Sequence, residues 1–171
     1  MKNIYKIMKI LWAPWRMAYI KKFSEKNEGC FLCRAAKEND DKSNLVVFRG
    51  KTCFVILNRY PYNNGHLMIA PYRHIGSISD LDDDESREIM KLLKLSIKAL
   101  KEEYKPEGFN IGLNLGKVAG AGVEDHLHFH VVPRWAGDTN FMPVISDTKV
   151  IPEALEESWR RIRERFIHLT A

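Results

Sequence analysis

At 171 residues, with 45% hydrophobic and 29% charged side chains, the chain has the length and composition of one globular domain and not of two. No run approaches the ~18 uncharged apolar residues of a membrane span. Lysines interrupt the opening "MKNIYKIMKILWAPWRMAYIKKF" before a secretory signal could form, so the expectation is a cytoplasmic protein without membrane association. The net charge of +5 suits an anionic partner without naming one, and three cysteines are too few for a secreted disulfide framework.

In chain order, the first chemical signal is "CFLC", Cys30 and Cys33. Two cysteines three positions apart form half of a tetrahedral zinc site. They also fit a redox pair, for which the expected βαβ context is missing, or a reduced structural pair. "LVVFR" and "TCFVILN" follow as β-rich runs split by Gly50-Lys51, a hairpin leading into the turn-rich "NRYPYNNGH". Cys53, within the second run, reads as a small core residue. "HLMIAP" is a third strand.

Ser79 with Asp80, Asp82, Asp83, Asp84 and Glu85 predicts a cap and an acidic first turn. The helix behind it has an apolar face of Ile89, Leu92, Leu93, Ile97, Leu100 and Tyr104, and ends at Pro106 and Gly108. Capping accounts for the acids more simply than a hard-cation site does. "FNIGLNLG" and "HLHFHVVP" predict two more strands, with the Gly-rich "GKVAGAGVED" as the loop between them. A last helix carries Leu155, Trp159, Ile162 and Phe166 on one side. Its arginines, in "WRRIRERF", read as a solvated face, and no nucleic-acid motif accompanies them. The expected fold class is therefore α+β, an antiparallel sheet covered by helices.

His126, His128 and His130 occupy alternate positions, and a strand would place all three rings on one face. Three readings compete: buried structural histidines, a three-imidazole metal clamp, and covalent catalysis at phosphorus. In the last, a neutral ring attacks through one nitrogen while the other donates to a fixed acceptor. His128, central in the row, is then the nucleophile. Asn114, His130 and the amides of the Gly-rich loop are candidate donors to the phosphate.

"HLHFHVV" resembles the His-x-His-x-His motif, followed by two apolar residues, of the histidine triad (HIT) family. "VILNRYPYNNGHLMIAPYRHI" is similar to the family's nucleotide-pocket segment and "GLNLG" to its companion strand. The resemblance runs from about residue 10 to the end. It implies a single HIT domain over 1–171, a five-stranded antiparallel sheet with a long central helix and a C-terminal helix, and extensions at about 1–28 and 150–171. "LWAPWRMAYI" and "PRWAGDTNFMPVISDTKVIPEAL" resemble the bacterial diadenosine tetraphosphate phosphorylases (ATP adenylyltransferases) most.

By that resemblance His128 forms an adenylyl-histidine, supported by His126 and His130. Asn58 contacts the ribose, His66 lies beneath the catalytic strand, Asn114 is a polar phosphate-side residue and Asn140 helps seat the polyphosphate. On the residues alone, Asn58 and Asn140 are ordinary loop and turn positions. Many HIT hydrolases carry a glutamine before the triad, where "AGAGVED" has Ala121 and Gly122, and that departure fits the phosphorylase branch. The resemblance further implies a structural zinc at Cys30, Cys33, His74 and His126, a homodimer, and magnesium accompanying an adenine nucleotide or dinucleoside polyphosphate. Hydrolysis of such nucleotides or of phosphoramidates, and a non-catalytic nucleotide-binding module, are the rival functions.

Overall fold

The computed structural model describes residues 29–146 and 148–171. The front segment "LWAPWRMAYI" and the 1–28 extension lie outside them. Two short helices, α1 (Phe31–Lys37) and α2 (Asp41–Asn44), precede the strands β1 (Val46–Arg49), β2 (Cys53–Leu57) and β3 (Leu67–Pro71). The long helix α3 (Asp83–Tyr104) leads to β4 (Gly108–Leu113) and β5 (Phe129–Arg134), then α4 (Met142–Ser146) and α5 (Leu155–Thr170). The five strands form one sheet in the order β1-β2-β3-β5-β4, every neighbouring pair antiparallel, as the sequence predicts.

β2 and β3 are buried at every position because both faces are covered. The register aligns Val55 with Ile69 and Leu67 with Val131, on the face that α3 covers. Ile56 aligns with Met68, and Met68 with His130, on the other face. The β1 edge is closed by α5: the Trp159 indole N–H donates to the Val46 carbonyl at 2.8 Å, and Phe166 packs on Phe48 with ring centroids 5.4 Å apart.

The start of α3 differs from the sequence expectation. Asp82, not Ser79, is the N-cap, in a reciprocal capping box with Glu85, whereas Ser77 caps a separate 3-10 turn, Ile78–Asp80. Glu85 is buried and also held by Arg73 at 2.5 Å, so the acid beginning the helix is tied to the segment after β3. The helix also buries Ser96 and Ala99, small residues that let it lie close to its neighbours. The arginines of α5 are not simply solvated: Arg161 pairs with Glu103 and Glu153, Arg163 with Asp41, and Arg165 with Glu103.

β4 and β5 are shorter than read. β4 stops at Leu113, before Asn114, and β5 starts at Phe129, so His126 and His128 precede the ladder. The Leu127 amide donates to the Ile75 carbonyl at 2.6 Å and so joins the 72–76 loop instead of continuing the ladder. Gly76 permits that approach, since a Cβ there would sit 3.0 Å from the Glu124 carbonyl oxygen. No helix among the described residues is long and apolar enough to cross a membrane.

After β5 the chain turns back through Asp138. Its buried carboxylate accepts from Arg134 at 2.6 Å, Asn63 at 2.7 Å and the Trp135 amide at 3.2 Å. The Arg134 guanidinium, chiefly, holds the Asp138 carboxyl down at about 2, against an ordinary 3.8. Its stabilising effect is therefore complete above 3.8 and is lost as pH falls through about 2. We expect Asp138→Asn to cost about 1–3 kcal/mol at pH 7 in urea unfolding, with the gap from wild type closing as the pH falls across that window.

Candidate active site and metal centre

One cavity of about 650 Å³ lies on the sheet face opposite α3. Its floor is Met68, His128, His130 and Val132, and Asn58, Tyr60 and Tyr62 rise beside them. The volume is within the range of small-molecule sites. Alternation along β5 brings His130, Val132 and Arg134 to this face in steps of two.

Hydrogen bonds fix the tautomers of the histidines around it. The Tyr62 amide donates to His66 Nδ1 at 3.1 Å, so the hydrogen of His66 is on Nε2, which lies 2.9 Å from His130 Nδ1. His130 Nδ1 accepts that hydrogen, and the His130 hydrogen is on Nε2. His66 is fully buried under the pair, with Tyr62 tilted against both rings at centroid distances of 4.5 and 5.7 Å. The left-handed Gly65 (φ 71°) makes the turn that delivers His66 to β3.

His128 is governed by one backbone atom. Its Nδ1–H donates to the His126 carbonyl at 2.8 Å, which leaves the lone pair on Nε2. Burial of the ring pushes its pKa below the ordinary histidine value, so the neutral form prevails near pH 7. A neutral imidazole with one nitrogen engaged and the other basic is a nucleophile or a proton acceptor.

His126 does not line the cavity. Its Nε2–H donates to the Pro71 carbonyl at 2.9 Å, and its Nδ1 turns to Cys30 Sγ at 3.2 Å, Cys33 Sγ at 3.4 Å and His74 Nδ1 at 3.3 Å. Cys33 Sγ lies 3.1 Å from His74 Nδ1, and the four donor atoms fall within 4.8 Å of one another. Zinc bonds of about 2.3 Å to sulfur and 2.0 Å to nitrogen give tetrahedral edges of roughly 3.3–3.8 Å, so the cluster fits one ion. Cys30 is the N-cap of α1 yet makes no capping bond, and Cys33 follows on the first turn, so both thiols converge on one point. Burial, with Cys30 alongside, pushes the Cys33 thiol up, the environment a dication reverses. All three cysteines are free thiols, and Cys53 is buried in the core, its thiol pushed up to about 12 by desolvation.

The remaining candidates divide. Asn58 lines the cavity and its Oδ1 accepts from the Tyr60 amide at 2.9 Å, a local turn bond that leaves the side-chain NH₂ for other acceptors. Asn114 does not line the cavity; its NH₂ reaches the Gly120 carbonyl at 3.5 Å and so braces the Gly-rich loop, of which Gly120 and Gly122 do line it. Asn140 is exposed, with its Oδ1 on the Met142 amide at 3.0 Å. Sequence reasoning missed the far wall: Arg134, Asp138, Thr139, Pro143, Lys149 and Ile151. The cue was the stretch "PRWAGDTNFMPVISDTKVIPEAL", which contains all six and carries the resemblance to the phosphorylase branch without singling any of them out.

The HIT domain pattern matches residues 38–137. AP-4-A phosphorylase of Mycobacterium tuberculosis is 44% identical over 156 residues, covering 88% of this chain and 80% of that protein. The yeast bis(5'-adenosyl)-triphosphatase is 34% identical over 91 residues, 53% of this chain and 44% of that protein. Among solved structures, a hypothetical histidine triad nucleotide-binding protein from Sulfolobus tokodaii has a TM-score of 0.64 at 27% identity, covering 82% of this chain and 94% of that one. A Zn-bound histidine triad family protein from Mycobacterium smegmatis has a TM-score of 0.65 at 23% identity, over 83% and 96%, and supports the fold. The chain belongs to the histidine triad family.

Proposed function

We propose that the chain is a nucleotidyltransferase that converts diadenosine tetraphosphate and phosphate to ATP and ADP through an adenylyl-histidine at His128. The observation that carries this reading is the fixed tautomer of that ring, Nδ1–H on the His126 carbonyl and the lone pair on Nε2, in a cavity wall. The Mycobacterium tuberculosis relative supports the substrate class.

His128 Nε2 attacks the α-phosphorus. An N–P bond forms, the bond from that phosphorus to the bridging oxygen breaks, and ATP leaves with the oxygen. The substituted ring is cationic, and the His126 carbonyl, still accepting from Nδ1–H, stabilises it. Phosphate then attacks the same phosphorus; ADP forms, the phosphate's proton passes to solvent, and Nε2 regains its lone pair. His130 Nε2–H, its direction set by His66, donates to a non-bridging oxygen, together with amides of the Gly-rich loop that Asn114 braces. The Asn58 NH₂ meets the ribose, and Asn140 serves the incoming phosphate.

Zinc held by Cys30, Cys33, His74 and His126 supplies a structural tie and takes no part in the bond changes. Magnesium accompanies the polyphosphate as counter-charge. The whole chain acts as one domain and as a homodimer, an assembly that the β4 edge with its exposed Ile111 would suit. Reduced thiol ligands suit the cytoplasm.

Incubating the protein with diadenosine tetraphosphate, with and without phosphate, tests the reaction: ADP is expected only with phosphate. Phosphate-independent AMP release selects the hydrolase, a reading favoured by the triphosphatase relative, and no turnover selects a binding module. We expect His128→Ala to lose at least about a thousandfold in kcat while nucleotide affinity stays within a few-fold. Elemental analysis should find zinc stoichiometric with the purified chain, and Cys33→Ser should lower both zinc content and Tm.

A further inference from the structure

The cavity continues past the histidines to a wall that the proposed chemistry leaves unused. Along β5 its floor runs from His130 through Val132 to Arg134, in steps of about 6.6 Å per two residues. At the Arg134 end, charge is unevenly compensated. The Arg134 guanidinium is taken by the Asp138 carboxylate and by Asn110 Oδ1 at 2.6 Å. The Asp138 carboxylate is in turn saturated by Arg134, Asn63 and the Trp135 amide.

Lys149, from the segment between α4 and α5, lines the same wall, and its ammonium is held differently. It donates to the Asp138 backbone carbonyl and to Thr139 Oγ1 at 3.4 Å, both neutral acceptors. Among the described residues it makes no ion pair, and an ammonium has three donors, so a full positive charge and a third N–H remain at the cavity wall. Two neutral anchors position the amine without cancelling it, which is what an anion site in a partly buried wall requires.

We propose that Lys149 binds the distal phosphates of the leaving nucleotide and so makes the site selective for polyphosphate substrates over simple AMP derivatives. This inference rests on the adenylyl-transfer reading. It assigns the two ends of the cavity different work: bond exchange at His128, and recognition of the outgoing charge at Lys149. The neutral Val132 between them makes no demand on the charged chain.

The test measures, on the full chain, calorimetric affinities for ATP and for AMP, and KM and kcat for diadenosine tetraphosphate and for adenosine 5′-phosphoramidate. Lys149→Gln should weaken ATP and raise KM for diadenosine tetraphosphate by about tenfold, with kcat, AMP affinity and phosphoramidate turnover within about twofold. Lys149→Arg should restore both the ATP affinity and the KM. An equal loss for AMP and ATP overturns the proposal, because the lysine then merely holds the wall against Asp138, and so does no loss for either. A wild type that turns over phosphoramidate and not diadenosine tetraphosphate sinks the substrate reading instead, and the ATP-against-AMP comparison still decides the role of Lys149.

Discussion

The architecture depends on one peptide carbonyl, that of His126. It accepts the Nδ1–H of His128 and thereby decides which nitrogen of the buried ring is basic. The same residue's ring is divided in the same manner, Nε2–H to the Pro71 carbonyl and Nδ1 to the thiol and imidazole cluster. Position 126 is thus a junction between the end of β3, α1 and the His128 ring. A hydrogen-bonded backbone acceptor suits this role, since it has no protonation equilibrium of its own near neutral pH.

A second relay has the opposite sense. The Tyr62 amide orients His66, which orients His130, so that two adjacent rings of one motif present unlike nitrogens: a lone pair at position 128 and an N–H at position 130. The proposed attack on phosphorus uses that pairing of a donor of electrons and a donor of hydrogen. Strand alternation alone brings the rings to one region, and the partners beneath them make them chemically different.

The sheet, α3 and α5 were legible in the sequence because their signals are local: uninterrupted apolar runs in β2 and β3, and helical apolar spacing ending in Ile162 and Phe166 for α5. The meeting of Cys30 and Cys33 with His74 and His126 was legible through the family resemblance, since nothing local links Cys33 to His74, 41 positions on. The cap at Asp82 was missed because five acids and several serines crowd that stretch, and only the reciprocal bond to Glu85 singles one out. The start of β5 was missed because Leu127 is apolar and alternates correctly, while its amide is claimed by Ile75 across the loop. The far wall with Asp138 and Lys149 has no periodicity, and tertiary contacts alone bring it to the cavity.

The four donors come from three stretches of chain, Cys30 lying 96 positions from His126. The free-energy cost of closing a loop grows only with the logarithm of its length, so joining such distant stretches is little harder than joining near ones. An ion bound there would anchor a seven-residue helix that would melt by itself to the segment that holds the His128 ring. With an ion bound there, fraying of α1 and loosening of the His128 segment would become a single event, so that losing the ion would leave this corner of the fold underassembled before it left it merely slow.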